Sequence, residues 1–251
     1  MKINKIEKKD FNFYQVNGWV KIKNFFTQNE LLTLKKTTYN FLKKNYKKYA
    51  PGEINYVNEK KIFKEINSFH KLEESKSIKL LGKKICQSKL IKKLLNNSLG
   101  ELRASEFFAK PAKIGLFSPI HQDNYYWNVK NNNALTVWIA LNKSVKVNGG
   151  VFYYDGSHKL GILNHKSSFA RGSSQTIKQT SKLKRLRISL PNLKPGDALI
   201  HHVLVAHGSK NNKSRLRRSG VTFQIKDQKS GYDFKKIALY RKKLQHQISK
   251  R

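Results

Sequence analysis

Ala134-Leu135-Thr136-Val137-Trp138-Ile139-Ala140-Leu141 is the run that decides the fold class. It is short and rich in β-branched and aromatic residues, and asparagines flank it on both sides, as expected of a strand between turns. Working outward, runs of the same texture recur after Gly100, at 103–110, 151–154, 186–190, 197–206 and 219–225, each bounded by Gly, Pro, Asn or Ser. Short strands at such spacing predict a sandwich or barrel. Before Gly100 the pattern is different. Phe13, Gly18, Trp19, Val20 and Ile22 suggest a short opening strand leading to Asn24-Phe25-Phe26. Thr27 and Glu30 then form the capping-box pattern, with Phe26 and Leu31 at the staple positions. Leu31, Leu34, Thr38 and Phe41 continue one helical face.

A second helical region is expected over 77–96, with Ile78, Leu81, Ile85, Ile91 and Leu95 on its buried edge. The stretch 235–251 returns to helical spacing. Ile237, Tyr240, Leu244 and Ile248 form one face, and Lys235, Lys236, Arg241, Lys242 and Lys243 lie mainly around the other. Helices followed by strands predict an α+β chain with a β-sandwich core. No linker or repeat interrupts it, so one domain is expected: 1–100 mainly helical support, 101–226 the β core and 227–251 a basic C-terminal helix.

The 251 residues allow one substantial core. Eleven Tyr, fourteen Phe and three Trp are too many bulky side chains for a disordered chain. Cys86 is the only cysteine, which excludes an internal disulfide and fits a reducing compartment. Lys2, Lys5, Lys8 and Lys9 are followed by no apolar signal core, and no stretch reaches the ~20 apolar residues of a membrane span, so a cytoplasmic location is expected. The 52 Lys and Arg against 15 Asp and Glu give a net charge of +37. That balance suits an anionic partner, whether nucleic acid, a membrane surface or a phosphorylated substrate, but AT-rich coding bias would also raise the lysine count.

His121-Gln122-Asp123 follows Pro119 where a strand region ends. On an extended segment residues two apart share a side, so an imidazole and a carboxylate could converge on one ion. Alone, the triplet could equally be a hydrogen-bonded surface pair. Far along the chain, Gly196-Asp197 opens an apolar run ending in Val205-Ala206-His207-Gly208-Ser209. Two imidazoles and one carboxylate that leave coordination positions open match the facial triad of non-haem iron(II) oxygenases. A structural zinc site would normally have four protein ligands. The turn-rich segment after His207 could return Arg218 to the metal as a hairpin. Its planar guanidinium would suit the distal carboxylate of a 2-oxo diacid, or Arg218 is simply one more cation in Arg215-Leu216-Arg217-Arg218.

Several segments together resemble the phytanoyl-CoA dioxygenase family. They are His121-Gln-Asp-Asn-Tyr-Tyr-Trp127, Leu135-Thr-Val-Trp-Ile-Ala-Leu141, Asn148-Gly-Gly150, Gly156-Ser-His158-Lys-Leu-Gly161, Gly196-Asp-Ala-Leu199 and His207-Gly-Ser209 with Asn212, Ser214 and Arg218. The resemblance is close over about 105–225 and looser before it. It implies a double-stranded β-helix, or jelly roll, with Fe(II) held by His121, Asp123 and His207. It further implies 2-oxoglutarate gripped by Arg218 with help from Ser209, and O2 as the oxidant. Trp138 falls where the family often has a co-substrate-contacting aromatic, though it could be core. Tyr154-Asp155 stands where the family often has Pro, which touches only the local turn. The implied reaction is hydroxylation of a small organic substrate with release of succinate and CO2.

Tyr125, Tyr126 and Trp127 are candidates to line the substrate pocket. His201 and His202, in the same expected strand as His207, lack the Gly-Ser and Arg pattern and are read as packing or supporting residues, and His158 as part of a turn. Two other classes stay open: a family member without catalysis, and a basic nucleic-acid-binding protein, for which no reading motif is present.

Overall fold

The computed structural model describes residues 1, 5–58 and 60–249. Lys2 and the last two residues of the expected C-terminal helix lie outside them. Helix α1 (Lys8–Asn17) leads into β1 (Trp19–Ile22). Phe13, expected at the head of that strand, lies in α1. Gly18 takes a left-handed φ of 78° and its N–H caps Tyr14 O, so helix gives way to strand in one residue. Helix α2 (Gln28–Asn45) starts with the expected capping box: Glu30 N–H donates to Thr27 Oγ1, and Thr27 N–H to Glu30. Its buried face is Leu31, Leu34, Thr38 and Leu42, with Phe41 at the edge.

Two strands, β2 (Ile54–Tyr56) and β3 (Ile66–Phe69), lie in the stretch expected to be mainly helical. The helix expected over 77–96 is two helices, α3 (Lys76–Cys86) and α4 (Lys89–Leu94), because Ser88 Oγ accepts from Ile91 N–H and caps a fresh start. The strand region comprises β4 (Gly100–Lys110), β5 (Ser118–His121), β6 (Ala134–Ala140), β7 (Val151–Tyr154), β8 (His165–Ala170), β9 (Ser173–Ile177), β10 (Ile188–Ser189), β11 (Ala198–His202), β12 (His207–Ser209) and β13 (Arg218–Asp227). Helix α5 (Asn124–Trp127) separates β5 from β6, and α6 (Phe234–Ser249) closes the described chain. Among the described residues no helix is long and apolar enough to cross a membrane.

Seven strands form one antiparallel sheet in the order β1-β11-β6-β13-β4-β3-β2, and four form a second in the order β10-β7-β12-β5. The pair is a jelly roll, with β8 and β9 as a separate hairpin. The run 197–206 therefore does not form one strand. β11 ends at His202 in the large sheet, and 203–206 cross to the small sheet, where β12 begins. His201 and His207 thus belong to different sheets.

All seven β6 residues are buried, because both faces of the large sheet are covered. Leu135, Val137 and Ile139 pack with the helix layer, alongside Val221, Phe223 and Ile225 of β13 and Ile78 and Ile85 of α3. Trp138 and Ala140 point the other way, to a smaller cluster with Val151, Tyr153, Leu199 and Val205. Gly82 lets α3 close on the sheet, since a Cβ there would lie 2.7 Å from Leu102 and 3.0 Å from Phe223. Truncating the fully buried Phe223 to Ala would cost roughly 3–5 kcal/mol. The helix layer thus fixes the sheet, and its inner face carries the cleft.

Candidate metal centre and its cleft

His121 ends β5, and β12 begins with His207 directly opposite it. Asp123 is not on the extended segment: with φ −59° and ψ −37° it already has helical geometry at the head of α5. The two candidate ligands of the triplet converge because the chain turns there, and not by strand alternation. Gln122, between them and fully buried, staples the turn. Its Nε2 donates to Leu204 O (2.6 Å) and Gly161 O (2.8 Å), and its Oε1 accepts from Leu163 N–H (2.7 Å).

One donor atom each from His121, Asp123 and His207 lies within 4.8 Å of the others. His121 Nδ1 bonds Pro119 O at 2.7 Å, and His207 Nδ1 bonds Val205 O at 3.0 Å. A carbonyl can only accept, so each Nδ1 carries the proton and each Nε2 lone pair is free for a metal. Those Nε2 atoms lie 3.6 and 3.7 Å from Asp123 Oδ1. The other carboxylate oxygen is tied back: Thr136 Oγ1 donates to Oδ2 at 2.6 Å, and His201 Nε2 lies 3.1 Å from it. His201 Nδ1 in turn meets the Tyr153 hydroxyl at 3.0 Å. Burial opposes the Asp123 charge, but the surrounding imidazoles outweigh it and hold the carboxyl well below its ordinary range. Burial beside His121 and His201 pushes His207 well below its ordinary value. Two Nε2 lone pairs facing one carboxylate oxygen make a donor set suited to a dication.

The triad opens into a cleft of about 330 Å³. Arg218 lines its inner end and is almost fully buried, with its guanidinium over the Trp138 ring at 4.7 Å. Burial lowers it to about 10, so it stays charged at neutral pH, and its Nε is buried without a hydrogen-bond partner. Gly220 makes the stack possible, because a Cβ there would overlap the Trp138 ring. Neighbouring Arg217 points away and donates to Lys64 O at 2.8 Å. Arg218 does not return on a hairpin, since β12 and β13 belong to different sheets. Ser209 of β12 lines the cleft as well.

Of the aromatic candidates, Tyr126 and Trp127 line the cleft, whereas Tyr125 does not and stacks on His165 at 4.2 Å. His202 lies away from the triad, with its ring 5.5 Å from His158.

Sequence reasoning passed over Gln122, Thr136 and Lys110. Lys110 is the β4 residue paired with Arg218, it lines the cleft, and its ammonium donates to Leu116 O. Burial, with Arg218 beside it, pushes that ammonium well below its ordinary value. The available signal was a polar residue set inside an apolar strand at the parity that faces the cleft.

A family model described as Phytanoyl-CoA dioxygenase (PhyH) matches residues 14–220. The 1-deoxypentalenic acid 11-beta-hydroxylase of Streptomyces arenae is 31% identical over 107 residues, covering 41% of this chain and 38% of that protein. A probable phytanoyl-CoA dioxygenase of Caenorhabditis elegans is 23% identical over 229 residues, covering 84% of this chain and 72% of that one. The match thus spans well under half of the first relative and most of the second. Among solved structures, the non-heme alpha ketoglutarate dependent carbocyclase SnoK from nogalamycin biosynthesis superposes with a TM-score of 0.71 at 20% identity, covering 90% of this chain and 86% of that chain. At that identity the likeness is one of fold.

Proposed function

The chain belongs to the phytanoyl-CoA dioxygenase family, and from that membership we propose that it is an iron(II)- and 2-oxoglutarate-dependent dioxygenase. It would hydroxylate a C–H bond of a small organic substrate with release of succinate and CO2. The observation that carries this reading is the convergence of His121, Asp123 and His207 within 4.8 Å in the cleft that also holds the buried Arg218.

The donor set fits the metal: two neutral imidazoles and one carboxylate with a single oxygen left facing them suit Fe(II) and leave positions for other ligands. The unpartnered Arg218 Nε fits an anionic co-substrate, because a buried guanidinium without an acceptor calls for one. When bound, iron, 2-oxoglutarate and O2 supply the oxidising power needed to functionalise an unactivated C–H bond.

The protein's residues provide the rest. Arg218, held over the Trp138 ring, would take the distal carboxylate of 2-oxoglutarate, with Ser209 helping. Thr136 and His201 fix the Asp123 carboxylate so that only Oδ1 faces the metal position. Tyr126 and Trp127 wall the cleft next to the triad and limit access of water.

The test is succinate release from 2-oxoglutarate by the Fe(II)-loaded protein, screened against pools of small metabolites. Substrate-stimulated succinate that disappears without Fe(II) supports the proposal. A protein that binds metal but forms no succinate from 2-oxoglutarate with any pool would overturn it.

A further inference from the structure

Beyond the triad the cleft runs outward along β4 to β2, β3 and α6, and that outer wall carries the carboxylate of Glu106 and the guanidinium groups of Arg103 and Arg171. Glu106 faces the cleft from β4 opposite Thr222, and its side chain is only 13% exposed. In a chain with 15 acidic residues against 52 basic ones, a carboxylate turned into the cleft stands against the prevailing charge. It is also held in place. Asn55 Nδ2 donates to Ser68 Oγ at 3.0 Å, Ser68 Oγ meets His70 Nε2 at 3.0 Å, and His70 Nδ1 meets Glu106 Oε1 at 2.8 Å. With Ser68 accepting from Asn55, its hydroxyl proton is free for His70 Nε2. His70 Nδ1 thereby fixes Glu106 Oε1 in the cleft wall. Gly172, at the tip of the β8–β9 hairpin, rests on this network, where a Cβ would come 2.5 Å from Ser68 Oγ.

Arg103 reaches the same wall by a β-bulge. In the β4–β13 register Gln224 faces Ala104 and Ile225 faces Leu102, which leaves Arg103 as the extra residue. A bulge of this kind re-aims one side chain out of the strict alternation. Its guanidinium bonds Gln224 Oε1 and lies over the Trp127 ring at 5.1 Å, both neutral partners. Among the described residues Arg103 has no carboxylate partner, and it makes no ion pair with Glu106. Tyr240 of α6 lines the cleft within electrostatic reach of both charges.

Glu106, held by His70, and Arg103, held by Gln224 and Trp127, make no ion pair with each other and form a receptor for a ligand that carries both signs. We propose that the outer cleft binds a small zwitterionic substrate, its amine at Glu106 and its carboxylate or other anionic group at Arg103. The inference rests on the dioxygenase reading of the inner site and names its substrate class. A purely anionic ligand would meet the Glu106 carboxylate. A long aliphatic chain would take the polar groups of Asn55, Asn67, Glu106 and Gln224 out of water and give them no new hydrogen bond in return.

The probes are free L-amino acids and ω-amino acids of small size, each matched with its deaminated acid and its decarboxylated amine. Binding is read from the melting temperature of the Zn(II)-loaded protein, and 2-oxoglutarate is titrated separately. At least one zwitterion should bind, with either singly charged analogue about tenfold weaker or more. Glu106→Gln keeps the size and the acceptor for His70. It should weaken the zwitterion about tenfold or more and leave 2-oxoglutarate affinity unchanged. Arg103→Gln should do the same. Binding of 2-oxoglutarate with no zwitterion bound would overturn this inference alone, as would a zwitterion indifferent to Glu106→Gln. Zwitterion binding without 2-oxoglutarate binding would support this cleft and overturn the dioxygenase reading.

Discussion

At the inner end of the cleft, Arg218, Trp138 and Ser209 stand on strands close to the triad of His121, Asp123 and His207, packed against the sheets that carry it. At the outer end, Asn55, His70, Glu106, Arg103 and Tyr240 are gathered from β2, the end of β3, the β4 bulge and α6. The inner end places charge by burial: Arg218 and Lys110 face each other in register, both nearly inaccessible. The outer end places charge by polar relays that remain open to the cleft. One end is therefore expected to be intolerant and generic, and the other tolerant and specific to this chain's substrate.

Predictions that break or sharpen this contrast can be ranked by size. Asp123→Ala should abolish Fe(II)-dependent turnover while the protein stays folded, as read by circular dichroism beside the succinate assay. Retained turnover would sink the triad. Arg218→Ala should weaken 2-oxoglutarate by about 30-fold or more, roughly 2–5 kcal/mol for a buried charge-assisted contact. Arg217→Ala is the control and should change it little, since that side chain turns away. Equal losses would replace a specific contact with diffuse electrostatics. Thr136→Val should lower metal affinity about tenfold, the usual scale for a group that orients a ligand, measured by competition with a chelator. An unchanged affinity would mean that Asp123 needs no help from Oδ2.

A separate prediction concerns pH. Burial lowers His165 and His202 to about 4, against an ordinary 6.5. The unfolded chain takes up these protons near 6.5 and the folded chain only near 4. Stability of the metal-free protein should therefore fall as pH drops through that window. A urea midpoint that stays flat between these values would show that the rings are not held neutral by burial.

The inner end was largely legible in the sequence and the outer end was not, for a physical reason. His121, Asp123, His207 and Arg218 lie in short motifs whose spacing follows from strands and turns, so local reading brings them to notice. Even there the mechanism of convergence was misjudged. Asp123 reaches the centre through the α5 turn, and Arg218 arrives on the opposite sheet and not by a hairpin. A β-sandwich core followed from the short runs after Gly100 and the jelly roll from the family resemblance, but β2 and β3 were hidden in a polar stretch with no alternation to reveal them. Glu106 and Arg103 become neighbours in function only through a bulge, and His70 and Tyr240 only through tertiary packing. No periodicity encodes those relations.

The central claim is that the inner end holds a metal and 2-oxoglutarate together. Anaerobic titration of 2-oxoglutarate into the Fe(II)-loaded protein tests it directly, followed through the visible metal-to-ligand absorption band and by calorimetry. A saturable band that requires Fe(II), and that is lost in Asp123→Ala, is the predicted result. Binding of 2-oxoglutarate with equal affinity in the presence and absence of metal, and with no band, would contradict it.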